Sequence, residues 1–207
     1  MAHVDLLFPV LGTTLPIDHS YLLYGALSKL VPRFHDPNGN LRFAAINGQP
    51  GAPGELGLFN KSRLRCRLNH DAITEVLPLA GKSLQVGDHR LRLGVPQVAA
   101  LIPAATLVAR LVTFKNADTP DHFLEHARET LKEMIIQGEP GIPLIQAGPR
   151  QGEPRRMIVR IKGKRVIGFA LRVEGLTAEE SIKLQEEGLG GRTRMGCGFF
   201  VTMKEDH

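Results

Sequence analysis

Hydrophobic patterning repeats one order of elements twice along this chain: strand, helix, strand, strand, helix, strand. That order narrows the fold more than any single motif does. The stretch Val4 to Val10 alternates between apolar and other residues. "DHSYLLYGALSKLVP" then sets Leu22, Leu23, Ala26, Leu27 and Leu30 at helical spacing until Pro32. "FHDPNGN" and "INGQPGAPGELG" are rich in turn formers and flank a short strand candidate, "RFAAIN". Strict alternation in "SRLRCRL" predicts Leu64, Cys66 and Leu68 on one face of a strand and Arg63, Arg65 and Arg67 on the other. "DAITEVLPLAG" predicts a short helix closed by Pro78 and Gly81, and "HRLRLGV" a further strand.

In the second half, "ATLVARLVTFK" reads as a strand. "TPDHFLEHARETLKEMI" reads as a helix with Thr119 as N-cap, Pro120 in its first turn, and Phe123, Ala127, Leu131 and Met134 as its core stripe. "RRMIVRIKGKRVIGFALRVEG" predicts a hairpin turning at Gly163, "TAEESIKLQEEG" opens on the capping-box pair Thr177 and Glu180, and "CGFFVTM" is a last strand. The expected architecture is α+β: two tandem ferredoxin-like (RRM-like) β-α-β-β-α-β units, residues 1–97 and 104–207, joined near Gln97 to Pro103. Each unit would cover one face of its sheet with helices and leave the other for a ligand.

The 207 residues are 43% apolar, enough to fill such cores. Cys66 and Cys197 are the only cysteines, too few for a disulfide framework or a four-thiolate zinc site. "MAHVDLLFPV" lacks the regions of a secretory signal, and no apolar run nears the roughly 18 residues a bilayer requires, so the expectation is a cytoplasmic protein with no membrane partner.

The charges segregate by element. From Arg150 to Arg172 there are eight Lys or Arg residues and one acid, Glu153, while Glu125, Glu129, Glu133, Glu179, Glu180, Glu186 and Glu187 collect on the predicted helices. A hairpin bearing Arg156, Arg160, Lys162, Lys164 and Arg165 serves equally as a solvated edge that resists aggregation and as a contact for an anionic polymer. The matching row of Arg63 and Arg65, together with Arg192 and Arg194 further on, tips the reading toward a nucleic-acid surface. Aromatic residues make up only 5% of the chain and tryptophan is absent, so recognition by charge and backbone shape fits better than base stacking.

"GLGGRTRMGCG", residues 188–198, leaves a helix and enters a strand, the reverse of a nucleotide phosphate loop. Gly188 suits a left-handed C-cap. Gly190 and Gly191 permit a close backbone approach or turn N–H groups toward an anion. The stretch has the form G-h-G, five residues, G-h-G, with h apolar. In this it resembles the C-terminal glycine-rich loop of the CRISPR-associated repeat-processing endoribonucleases, the sixth Cas protein family. With "SRLRCRL", "HRLRLGVPQV", "GEPRR", "RIKGKR" and "GFAL", nearly the whole chain resembles the subtype named for myxobacteria and cyanobacteria.

The resemblance implies a nuclease that binds CRISPR repeat RNA and cuts the precursor into guide RNAs without metal or cofactor, by attack of a ribose 2′-hydroxyl on the adjacent phosphate. It also implies a histidine base near the first helix: His19 in "PIDHSYLLY", with Asp18 as N-cap, or else His35 after that helix, and Tyr21 or Ser20 to orient the ring or substrate. A non-catalytic RNA-binding subunit of a complex with other Cas proteins is the alternative. "HFLEH", His122 to His126, matches an inverted zinc-peptidase pattern, but a zinc needs a third ligand and an open position too, and the stripe of His122, His126, Glu129 and Glu133 faces away from Phe123 and Ala127, as the wet side of a helix does. Cys197, between two glycines with no base beside it, reads as a small residue in a tight strand.

Overall fold

The computed structural model describes residues 3–36 and 39–203; Pro37 and Asn38 of the predicted turn "FHDPNGN" lie outside them. The chain divides into two units, Met1–Leu101 with Arg194–Gly196, and Ile102–Thr193 with Cys197–His207. Three residues of the glycine-rich stretch, expected wholly in the C-terminal unit, therefore belong to the first.

The first unit runs β1 (His3–Leu11), β2 (Thr14–Pro16), α1 (Ser20–Leu30) and a 3-10 turn (Pro32–His35), followed by β3 (Arg42–Phe43), β4 (Gln49–Pro50), β5 (Glu55–Gly57) and β6 (Arg63–Asn69). Next come α2 (Ile73–Val76), β7 (Ser83–Val86), β8 (His89–Leu93) and β9 (Gln97–Ala100). Its main sheet has the order β3-β6-β1-β8-β7, with β9 also on β1, while β2, β5 and β4 form a small sheet of their own. The first strand thus lies between the third and fourth major strands with the second outside, the ferredoxin-like order.

Register follows from the alternation. Leu6 opposite Cys66 and Phe8 opposite Leu64 face the core, whereas Asp5 opposite Arg67 and Leu7 opposite Arg65 face away from it. Leu23 and Leu27 of α1 and Val76 of α2 close that core with no exposure. Each such side chain contributes about 1.5–3 kcal/mol of burial before entropy is counted. Two expectations change. The N-cap of α1 is His19 rather than Asp18. The supposed linker after Gln97 is β9, because its backbone pairs with Val4 to Leu7 along an edge of β1.

The second unit runs β10 (Thr106–Val112), α3 (Pro120–Glu133), β11 (Glu139–Gly141), β12 (Arg156–Ile161), β13 (Lys164–Glu174), α4 (Ala178–Glu187) and β14 (Phe200–Thr202). The order β11-β13-β10-β14, with β12 on β13, repeats the topology of the first unit. Phe123, Ala127 and Leu131 of α3 pack on Leu107, Phe169, Leu171 and Val173 of the sheet. Thr177 and Glu180 form the expected capping box. The hairpin turns on Lys162 and Gly163, both with positive φ (51° and 75°), as a two-residue loop demands. β11 escapes sequence reading because Pro140 and Gly141 read as breakers. Among the described residues no helix is long and apolar enough to cross a membrane.

Candidate functional site

The two histidines that bracket α1 occupy opposite environments. His19 is fully buried. The backbone N–H of Ile46 donates to its Nε2 at 3.0 Å, so Nδ1 carries the proton and donates to the Pro16 carbonyl at 2.8 Å. With both nitrogens held by backbone, this ring ties α1 to the segment before β4 and offers nothing to a substrate. The placement of His19 as an accessible base is corrected accordingly.

His35 is exposed at the end of the 3-10 turn. The Tyr24 hydroxyl lies 2.8 Å from its Nδ1, and the two rings meet edge to face at 5.1 Å. With Nδ1 protonated and donating to Tyr24, Nε2 presents a lone pair; in the other tautomer the phenol donates and Nε2 presents a proton. Tyr24 is itself buried in the core, and Tyr21 stacks on it at 6.3 Å rather than touching the imidazole. Sequence reasoning chose Tyr21 and missed Tyr24. The signal was present: Tyr24 lies one turn beyond Tyr21, and these are the only tyrosines in the chain.

The turn carrying His35 is fastened on several sides. Phe34 is fully buried and meets Phe43 edge to face at 6.0 Å. Arg33 Nη1 donates to Glu75 Oε1 of α2, and this bond raises the Arg33 pKa. Arg194 Nη1 donates to the His35 carbonyl at 2.7 Å.

The glycine-rich stretch is a backbone graft. Gly191 N–H donates to the Thr113 carbonyl at 2.7 Å and Gly198 N–H to that of Leu111 at 2.8 Å, while Leu189 N–H meets Gly198 O at 3.3 Å. A Cβ on Gly190 would sit 2.7 Å from Thr113 O, and one on Gly198 2.1 Å from Leu189 O, so only glycine fits. Of the two glycines whose amides were expected to face an anion, Gly191 spends its N–H on the Thr113 carbonyl and loses its predicted role as a donor to RNA. Gly188 caps α4 with φ 67° and ψ −170°, a glycine conformation other than left-handed helical. Gly196 to Gly198 precede β14 instead of starting it, behind a 3-10 turn at Thr193–Met195. Arg192 stays exposed, with Nη1 3.4 Å from Thr113 Oγ1.

The arginine rows also diverge. Arg67 is 1% exposed and grips Asp5, itself 3% exposed, through Nε to Oδ1 at 2.8 Å and Nη2 to Oδ2 at 3.0 Å. Arg65 adds a bond to Asp5 Oδ2 at 3.1 Å, and Arg63 donates to the carbonyls of Asn60 (2.7 Å) and Ser62 (2.9 Å). This row serves the fold, and the prediction that Arg63 and Arg65 face RNA is corrected in that sense. The row that sequence reasoning overlooked is on β8. Arg90 and Arg92 are exposed opposite uncharged Gln85 and Ser83. Leu91 and Leu93 anchor the strand beneath them. Neither arginine has an ion pair among the described residues. On the hairpin, Arg156 and Arg160 are exposed on one face, and Arg160 stands directly opposite Arg165. Lys162 lies in the turn and Lys164 directly after it, both exposed.

His122 is exposed, and His126 stacks on Phe114 at 5.8 Å with Nδ1 3.6 Å from Glu129. Among the described residues no three His, Cys, Asp or Glu side chains gather as a metal site. Cys66 and Cys197 are buried, and burial pushes the Cys66 thiol pKa far up, so it stays protonated.

Two ferredoxin-like units in one chain, with a glycine-rich segment between the last helix and the last strand, form a fold that this chain shares with solved structures. A solved RAMP protein described as binding different RNA substrates superimposes with a TM-score of 0.67 at 13% identity, over 99% of this chain and 100% of that one. A Cas6-related protein of Pyrococcus furiosus does so with a TM-score of 0.60 at 14% identity, over 99% of each chain. Residues 4–205 match the Cas6 family, described as Cas6 Crispr. The CRISPR-associated endonuclease Cas6 of Myxococcus xanthus (strain DK1622) is 40% identical over 201 residues, 97% of this chain and 82% of that protein. The chain belongs to the Cas6 family.

Proposed function

We propose that this protein is a metal-independent endoribonuclease that binds CRISPR repeat RNA and cuts the precursor transcript into guide RNAs, with His35 as the general base. The observation that carries the assignment is the Tyr24–His35 pair: an exposed imidazole, its Nδ1 held by a buried phenol, on a turn fixed by Phe34 and by the Arg33–Glu75 bond. Endonuclease activity in the Myxococcus relative supports the reaction class.

In this reading Nε2 of His35 takes the proton from a ribose 2′-hydroxyl while Nδ1–H stays on Tyr24. The 2′-oxygen bonds to the adjacent phosphorus, the bond from phosphorus to the 5′-oxygen breaks, and that oxygen takes a proton from water. The products are a 2′,3′-cyclic phosphate and a 5′-hydroxyl. The RNA backbone is held by Arg156, Arg160, Lys162, Lys164 and Arg165 of the hairpin, by Arg192, and by Arg90 and Arg92 of β8. These are cations the fold leaves presented to solvent.

Single-turnover cleavage of repeat RNA in EDTA tests the proposal, with product ends identified by phosphatase and kinase treatment. Undiminished cutting and a cyclic phosphate are expected. Loss of cutting with chelator removes the metal-free claim, and a 5′-phosphate product removes the 2′-hydroxyl mechanism.

A further inference from the structure

The same stretch that carries Arg192 to the surface returns two residues later to the turn that bears His35. Arg194 is half-buried, and its Nη1 lies 2.7 Å from the His35 carbonyl. That carbonyl stands at the last residue of a 3-10 turn, where the helical hydrogen-bond pattern stops. A guanidinium there makes a charge-assisted bond, stronger than a neutral one. The next two residues hold the arginine in place. Met195 packs against the core of the first unit. Gly196, with φ 81°, lies so close to Phe43 that a Cβ would be 3.2 Å from its ring. Phe43 in turn braces Phe34, the residue before His35.

We infer that Arg194 is a positioning residue for His35: it fixes the backbone of the turn from one side while Tyr24 fixes the ring from the other. This rests on His35 acting as base. It also moves Arg194 from the RNA-binding set, where its charge alone would put it, into the support of the cut. The glycine-rich stretch then has two parts, Arg192 presented to RNA and Arg194–Gly196 seated beneath the base.

The test compares Arg194→Met and Arg194→Lys with the parent protein in single-turnover cleavage at saturating repeat RNA, and in binding across a salt series. Misplacement of a reacting group by about 1 Å costs about 10²-fold in rate. Arg194→Met is therefore expected to cut up to about 10²-fold more slowly with the salt slope of binding unchanged. Arg194→Lys, which keeps one donor, should recover part of the rate. In the RNA-free protein the His35 ring resonances should move in Arg194→Met and hold nearer the parent positions in Arg194→Lys. Parent-like cutting by Arg194→Met overturns the inference. So does a salt slope reduced by about 1 with the rate at saturation intact, since that is the signature of a lost phosphate contact. Failure of the underlying reading looks different: His35→Ala then still cuts, whatever Arg194 does, while the His35 resonances continue to report whether Arg194 sets the turn.

Discussion

At one end of α1 the imidazole of His19 is enclosed by two backbone groups; at the other the imidazole of His35 is held by one nitrogen and open at the other. The arginine rows of the first unit differ in the same way: on β6, Arg67 and Arg65 close on Asp5, and on β8, Arg90 and Arg92 close on nothing among the described residues. The residue types are the same in each pair. What separates them is whether the fold has already satisfied their hydrogen bonds and charge, because a group bonded within the core has no valence left for a ligand, while a presented cation or lone pair has.

The strongest way to break this comparison is at the histidines. His35→Ala is expected to lose about 10²- to 10⁴-fold in cleavage rate while the protein stays folded, measured by single-turnover assay and calorimetry. A protein that still cuts at the parent rate removes His35 as base.

Asp5→Ala should act on stability instead, at about 3–5 kcal/mol, because it strands the buried Arg67 charge; urea unfolding measures it. A change under about 1 kcal/mol would mean that the row is solvated after all. His19→Ala leaves the Ile46 N–H and the Pro16 carbonyl without the ring, each at a cost of about 1–3 kcal/mol. The fraction that remains folded should cut at the parent rate.

The double replacement of Arg90 and Arg92 by alanine sharpens the contrast between rows. Losing two phosphate contacts should flatten the dependence of log K on log salt by roughly 1.5, with unfolding unaffected. An unchanged slope places the RNA elsewhere.

The smallest effect concerns a carboxylate the fold uses. The Thr177 N–H, and after it the Gln137 N–H, hold the Glu180 carboxyl below its ordinary range. Its contribution to stability is therefore present above the unfolded carboxyl's pKa and lost as pH falls through the lower folded value. Glu180→Gln should flatten that acid limb in a pH series of unfolding midpoints, and an unchanged limb counts against the bond.

Topology was legible in the sequence because strands and helices announce themselves locally. Alternation in "SRLRCRL" and the stripe from Phe123 to Leu131 depend only on which face is apolar, and both units adopt the order those patterns implied. Less legible were β9, only four residues long between Pro96 and Pro103, and β11, whose Pro140 and Gly141 read as punctuation, although their backbones pair with β1 and β13. Burial of His19 was hidden for a related reason. Its partner Ile46 lies 27 residues away in a segment rich in turn formers, and no local pattern reports a bond that long-range folding makes.

By itself, then, the amino-acid order determined the two ferredoxin-like units, the apolar faces, the capping box at Thr177 and the surplus of basic charge, all of which follow from short-range periodicity and composition. The tertiary structure alone decided which of two histidines and which of two arginine rows remain open to a ligand, and that Arg194 belongs with His35. Those outcomes depend on hydrogen bonds between residues 11 to 159 positions apart. Only a completed fold brings such partners within 3 Å of each other.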